Sequence, residues 1–585
     1  MSNQALDRLL SELEALRYRF GRNQSHCVVH LINRLAALAF RDPARLIRFH
    51  EALLFLRAFP QGPNVVRATE HVLNRLHQKV EILRKAGADM DAFDTFEYSG
   101  IAGTHMEDTL SFDVARWLVG TNRLPAPVEI AWQNYDPGRD LGNTGPRFIP
   151  LLEDDACVEA DTPWQRWLQA ASGASRNKSS PAKHSTAAWL IQRFEQFPGS
   201  GPQPGAHRSE LYESLRVPLR WTLGNSTITR TRNRTLPRAV FYHSEPLISR
   251  SQVSLADELA RRPPKLTKLS LRQGSEIIEL IREVMLVRYR ELYGTTLGDA
   301  RSVVKADVGR GVEIYLWSLP PDRRLPLRSY VAGLTVKNGV PINYIEAIAL
   351  CEWMEVGFNT FYTFRGGEAG WIYAQVLRCL CHRMGTTCVS VYPYQLGHEN
   401  EEAIQSGAFW FYRKLGFRPG RDDLRQLAER EEKKIAADPK YRTPAPTLKR
   451  LAAGHVFYEL PGCQVGAWDR FSTRNIGLRV NERMARHFAG DAARMRNHSI
   501  RALERTLGLK SGTSGLASWS PREQEAFSNF ALILSDLRGV RNWTRPEKEA
   551  LITLVRAKPD PDEMLYLNRT QSHVRLREAL LHLGS

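Results

Sequence analysis

The run Arg365-Gly366-Gly367-Glu368-Ala369-Gly370 joins a guanidinium and three glycines to the start of an amphipathic helix, in which Ile372, Val376, Leu377 and Leu380 recur at helical spacing. Glycines let backbone N–H groups approach an anion closely, and the positive end of a helix dipole favours one. The run therefore has the chemistry of a pyrophosphate clamp: Arg365 as the cation, and the amides of Gly366, Gly367, Ala369 and Gly370 as donors. Glu368 stands inside it. A carboxylate there repels a pyrophosphate unless its side chain points away, since only its backbone amide is needed. The plainer reading is an ordinary turn before a helix.

Two other residue types suit proton transfer. Tyr412 sits on a helix among apolar neighbours, where an isolated tyrosine is ordinarily core; any role in proton transfer follows only from a family resemblance. Glu346 lies mid-strand between apolar residues; burial without a partner raises the pKa of a carboxylate and suits it to take a proton from an amine. Glu352 and Glu355, nearer the following loop, are alternatives, and a solvated strand face is the plain account of all three.

The elements that must position these groups are legible around them. Val331 to Val336, a turn at Asn338-Gly339, and Ile342 to Cys351 read as a β-hairpin. Thr387 to Tyr392 reads as a buried strand and Asn400 to Leu415 as a helix, with Gly416 suited to a left-handed cap and Phe417 folding back on the apolar face. Upstream, Leu266 to Leu271 and Val312 to Trp317 read as strands and Ser275 to Tyr293 as an amphipathic helix; Val456 to Leu460 reads as a last strand.

This order, together with the Arg-Gly-Gly turn and the segment Tyr412-Arg413-Lys414-Leu415-Gly416-Phe417, resembles the acyl-CoA-binding half of GNAT-type N-acetyltransferases over about residues 264–465. The resemblance implies a mixed central sheet with flanking helices, an α/β (α+β) fold. It also implies acetyl-CoA or another acyl-CoA as co-substrate without a metal, pyrophosphate held by Arg365 and the amides after it, and Tyr412 as proton donor to the leaving thiolate. Glu346 is then the candidate base for an amine acceptor, either a small molecule or a protein. The chain departs from the family at Glu368, where a small residue is usual, and in the long run from Cys351 to Phe364 before the glycine turn. Within that run, Phe358 to Phe364 is read as a pocket lining or as added core.

The remainder has no family resemblance. At 585 residues, with 43% apolar residues, the chain is globular and too long for one core. Residues 1–171 read as a mainly helical domain, with Leu6, Leu9, Leu10, Leu13 and Leu16 forming a core stripe. Residues 172–263 read as linker and basic connecting region, and 466–585 as a helical C-terminal domain. A polar cluster of Glu97, His105, Glu107, Asp108 and Asp113 surrounds Ser99 to Thr104 and reads either as a ligand site or, the plainer account, as a glycine turn before the helix of Val114 and Trp117. The seven cysteines, at 27, 157, 351, 379, 381, 388 and 463, lack CxxC spacing and read as free thiols.

No window has the roughly eighteen consecutive apolar residues of a membrane span, and Glu12 and Glu14 stand in the N-terminal helix, so a soluble, cytoplasmic protein is expected. A net charge of +18 fits anionic cofactors or surfaces. The densest basic run, Thr229 to Arg234, is expected on an exposed strand edge; no nucleic-acid motif accompanies it, which leaves a nucleic acid as the lesser partner. Two readings compete with acyl transfer from coenzyme A: an aminoacyl-tRNA-dependent transferase, and a non-catalytic scaffold or acyl-CoA sensor.

Overall fold

A computed structural model describes residues 3–21, 24–135, 141, 144–149, 164–173, 185–199, 204–509, 515–535, 537 and 539–585. The expected linker at 172–186 falls largely outside the described residues, as does Cys157.

The chain is mixed α/β, with a large, mostly antiparallel sheet and extensive helical regions. A small sheet is made of β1 (His105–Thr109), β2 (Glu129–Ile130) and β3 (Pro218–Thr222), in the order β1-β3-β2. The large sheet is made of β4 (Thr267–Lys268), β5 (Val304–Asp307), β6 (Val312–Ser318), β7 (Ser329–Lys337), β8 (Val340–Leu350), β9 (Trp353–Thr360), β10 (Cys388–Val391), β11 (Arg418–Pro419) and β12 (Val456–Glu459). Its order is β11-β12-β10-β9-β8-β7-β6-β5-β4.

The expected hairpin is β7 and β8, turning through Asn338 and Gly339 at φ of 49° and 80°. Both residues adopt the left-handed conformation that Asn and Gly tolerate best. Asn338 also ties the turn to its surroundings, donating through Nδ2 to the carbonyls of Ala58 at 2.9 Å and Phe241 at 3.0 Å.

The run after Cys351 is not an inserted loop. Trp353–Thr360 is a full strand, β9, antiparallel to β8 and parallel to β10. Met354, Val356 and Phe358 are buried and alternate with Glu355, Gly357 and Asn359, a strand period, and the place of β9 is set by pairing with β8. The helix Ala369–Met384 makes the crossover that a parallel pair requires, and ends at Gly385 with φ of 65°. β9 and β10 pair from Trp353 with Cys388 to Glu355 with Ser390; beyond that point β9 continues to Thr360, while the other chain turns at Pro393. The two strands therefore part on this side of the sheet.

Other elements differ in extent. The first expected strand shrinks to Thr267–Lys268, and the helix after it starts at Leu271, behind a Ser270 and Gln273 capping box. The expected helix from Asn400 to Leu415 is two short helices, Glu401–Ser406 and Ala408–Arg413, separated at Gly407, whose φ is 67°. Gly416 has φ of 102° and Phe417 is buried.

The apolar cores divide the described chain differently from composition. Leu6 to Phe93 share one core with the large sheet, Met106 to Ile228 form a second with Leu286 and Val287, and the C-terminal helices form a third with Leu350, Trp353 and Phe457. Continuous apolar contact thus joins the first helices to the sheet, where a boundary near residue 171 was expected. The C-terminal helices also brace the β8–β9 turn: Gln571 Nε2 donates to Cys351 O at 3.0 Å and Met384 O at 2.8 Å.

Thr229 to Arg234 is not a strand edge. Thr229, Arg230, Thr231 and Asn233 are buried, and Thr231 Oγ1 lies 3.0 Å from His50 Nε2. The polar cluster around residue 100 is structural: a Cβ on Gly103 would meet His77 O at 2.9 Å, and Glu107 pairs with Arg220 at 2.8 Å. Among the described residues no helix is long and apolar enough to cross a membrane.

Candidate active site

Where β9 and β10 part, a cleft of about 220 Å³ opens. It is lined by Phe358, Asn359 and Thr360 of β9, Arg365 and Ala369 at the head of the crossover helix, Gln395 after β10, and Phe411 and Tyr412. The free edge of β9 offers unpaired backbone donors and acceptors, and Ala369 stands where a helix leaves its first amides without intrahelical partners.

Tyr412 closes the cleft. It is buried against Tyr373, with ring centroids 5.6 Å apart, and its hydroxyl has no hydrogen-bond partner among the described residues. Burial pushes its pKa above the ordinary phenol value, so the hydroxyl keeps its proton at neutral pH.

Glu368 settles into the interior, fully buried, paired with Lys337 Nζ at 3.3 Å and with the Arg310 guanidinium. It also accepts from Ile248 N at 3.2 Å. Burial alone would raise its pKa; the charge of Lys337 and the Arg310 contact reverse that and hold it below the usual carboxylate range. Its carboxylate is thus neutralised by cations of the protein, which answers the repulsion expected at this position.

The glycines beside it have protein neighbours. A Cβ on Gly366 would collide with the Tyr18 hydroxyl, one on Gly367 would lie 2.7 Å from Phe59 Cζ, and one on Gly370 3.1 Å from Arg250 Cγ. Close packing of the first helices and Arg250 accounts for these three glycines. Of the expected clamp residues, Arg365 and Ala369 line the cleft; Gly366, Gly367 and Gly370 do not.

A second cavity, of about 600 Å³, shares Asn359, Thr360, Arg365 and Glu402 with the cleft. Its walls carry four arginines, Arg230, Arg288, Arg290 and Arg365, with Tyr289, Tyr344, Tyr362, Tyr394 and Phe361 between them. Arg365 is ion-paired with Glu402 across the boundary of the two spaces.

Glu346 lines neither space. It is half-buried on β8, its carboxylate accepts from the Tyr330 hydroxyl, and burial pushes its pKa up. It shares a sheet face with Tyr344, two residues away on the same strand, and Tyr344 does reach the larger cavity. Glu352 is engaged by Trp468 Nε1 at 2.8 Å and Arg577 Nε at 2.7 Å, and Glu355 by His455 at 3.0 Å, so both alternatives are committed to structural contacts. Glu291 does line the larger cavity, accepting from Ser111 N at 3.1 Å. The sequence offered no signal for it or for Arg288, because the walls are assembled from separate segments.

Comparison with known protein families, with characterised proteins and with solved structures finds no match to this chain.

Proposed function

We propose that the chain is an N-acyltransferase of the GNAT type, moving an acyl group from acyl-CoA to an amine. The observation that carries this reading is the cleft between the diverging strands β9 and β10, which runs from the head of the helix Ala369–Met384 to Tyr412. The narrow part suits a thin amide-bearing chain: Asn359, Gln395 and the free β9 edge supply hydrogen bonds, and Phe358 and Phe411 supply apolar walls. Arg365 stands at the mouth, ready for a phosphate group.

Acyl-CoA would supply a thioester carbonyl there. The amine's nitrogen forms the new amide bond as the carbon–sulfur bond breaks; its proton passes through water to Glu346, and Tyr412 gives its own proton to the departing sulfur. Direct transfer needs mainly positioning, which the two adjoining spaces provide.

A second reading, transfer from an aminoacyl-tRNA, is favoured by the glycine turn that Tyr18 and Phe59 cover. Calorimetric titration with acetyl-CoA and longer acyl-CoAs, repeated on Arg365→Ala, separates the two. Saturable binding lost in the variant supports acyl-CoA as donor. Absence of binding, with tight and salt-sensitive binding of tRNA, supports the second.

A further inference from the structure

The larger cavity contains a buried guanidinium that has no ion-pair partner among the described residues, Glu51 acting on its charge only from a distance. Arg288 is buried, with 6% of its surface exposed. Its Nη1 donates to Val284 O at 2.8 Å and its plane lies over the Phe361 ring at 3.9 Å. Its Nε is buried without a hydrogen-bond partner, and among the described residues no carboxylate lies within ion-pair distance of it. An uncompensated buried charge is costly. Burial, and then the neighbouring Arg230, disfavours the charged form of Arg288.

The surrounding groups do not discharge the site. Arg230 is buried, spends its Nη atoms on the carbonyls of Glu97 and Phe96, and leaves Nε unpartnered. Among the described residues the Arg290 guanidinium is bound to the Tyr344 hydroxyl alone, at 2.9 Å. Of the carboxylates nearby, Glu402 is held by Arg365, Glu291 is turned to Ser111 N, and Glu51, 3.9 Å from Arg230, is bound by His50 and Thr363. Glu97 also lines the cavity, and its carboxylate has no such tie among the described residues.

We propose that this cavity binds the carboxylate of a small amine acceptor, with Arg288 as its principal partner and Arg290 and Arg230 beside it. The inference rests on the acyl-transfer reading only for the word acceptor; recognition of the carboxylate stands on the cavity. Nη2 of Arg288 makes no hydrogen bond among the described residues and is left to donate to a carboxylate, with Arg290 beside it. Phe361 and the four tyrosines suit a flat or apolar body attached to that carboxylate. Such an acceptor would lie beside Asn359, Thr360 and Arg365, which face the cleft of Tyr412 as well, so that its amine is directed toward the donor.

The test is calorimetric titration of the full-length protein with benzoate, benzamide and phenylphosphate at constant ionic strength, on the wild type, Arg290→Gln and Arg288→Lys. Among the described residues the half-buried Arg290 side chain makes no hydrogen bond beyond Tyr344, so its variant keeps the site interpretable if Arg288→Lys fails to fold. The expected result is saturable binding of benzoate and none of benzamide. Arg290→Gln should weaken benzoate about tenfold, as loss of one charged hydrogen-bond partner does, and Arg288→Lys at least as much. Equal binding of benzoate and benzamide, or benzoate binding unchanged in both variants, overturns the proposal. Tighter binding of phenylphosphate than benzoate overturns the carboxylate in favour of a phosphate. No arm uses coenzyme A, so a failed acyl-CoA titration with intact benzoate binding would remove the transfer reading and leave the anion site.

Discussion

Lys337 Nζ lies 3.3 Å from the Glu368 carboxylate, with both side chains fully excluded from solvent. The pair links the end of β7 to the head of the crossover helix, whose Ala369 lines the cleft. Burial pulls Lys337 down to about 8, less far than it would without Glu368. Removing one member leaves the other charged and short of a partner. Lys337→Met and Glu368→Gln are each expected to destabilise by about 2–4 kcal/mol, Arg310 and Ile248 N softening the loss of the lysine. The double variant should cost less than the sum by about 1–3 kcal/mol. Urea unfolding of the four proteins measures this; strict additivity would mean that the pair does not interact.

Arg365 and Tyr412 both line the cleft and should fail in different ways. Arg365→Ala removes a partner for phosphate and releases Glu402 at the mouth, so acyl-CoA binding is expected to weaken about tenfold. Tyr412→Phe keeps the ring packing on Tyr373 and Phe417 and removes only the hydroxyl. Binding should persist while single-turnover transfer slows by roughly a hundredfold. If both variants match the wild type in binding and rate, neither residue belongs to the site.

The identity of the base can be read from pH. Burial raises the pKa of Glu346, so a rate that needs its ionised form should fall as pH drops through a value above the ordinary 4.5. Glu346→Gln should remove that limb together with most of the rate, while Glu291→Gln, on the cavity wall, should shift acceptor KM. The reverse pattern would transfer the role to Glu291.

Much of the frame around these residues is visible in sequence because it is local. Asn338-Gly339 needs a left-handed turn, Gly385 and Gly416 sit at positive φ, and the helix from Ala369 carries its own apolar period. β9 carries a strand period of its own, with Met354, Val356 and Phe358 buried and Glu355, Gly357 and Asn359 less so; what the sequence leaves open is its pairing with both β8 and β10. Glu368 looks hostile to an anion in sequence because its partners, Arg310 and Lys337, come from other strands and loops. The arginine cavity is hidden for the same reason: Arg230, Arg288 and Arg290 converge from two segments, and nothing in their spacing announces it.

Stability should carry a signature of Glu283, on the helix Leu271–Leu286. Burial is the largest influence on it and pushes its pKa up to about 7, against the opposing pull of Arg123 and Asn233. A carboxyl whose pKa is higher folded than unfolded releases its proton more readily when the chain unfolds. Its favourable contribution is therefore complete below pH 4.5 and is lost as pH rises from there through about 7. Over that window the wild type should lose about 3 kcal/mol from this group, relative to a variant that cannot ionise. Glu283→Gln should flatten that part of the curve of unfolding free energy against pH, at the cost of the Arg123 contact at all pH values. An unchanged slope would place Glu283 as an ordinary ionised partner of Arg123.

Tyr18 offers the most direct probe of the glycine turn. Its hydroxyl occupies the space beside Gly366, and its ring packs edge-on to Phe55 with centroids 5.0 Å apart, while Arg17 stacks on it at 4.8 Å. The residue is 39% exposed, so its removal leaves the core of the first helices standing. If the turn's amides take a pyrophosphate, Tyr18 competes for the approach to Gly366, and Tyr18→Ala should tighten acetyl-CoA binding severalfold through a faster association. Gly366→Ala in the same background isolates the backbone: with Tyr18 gone a methyl group has room, so the double variant should fold and retain the gain if only the amide is used. An acetyl-CoA affinity indifferent to Tyr18 would mean that the covered turn is solely a packing device, and that any donor is held by Arg365, Ala369 and the free edge of β9.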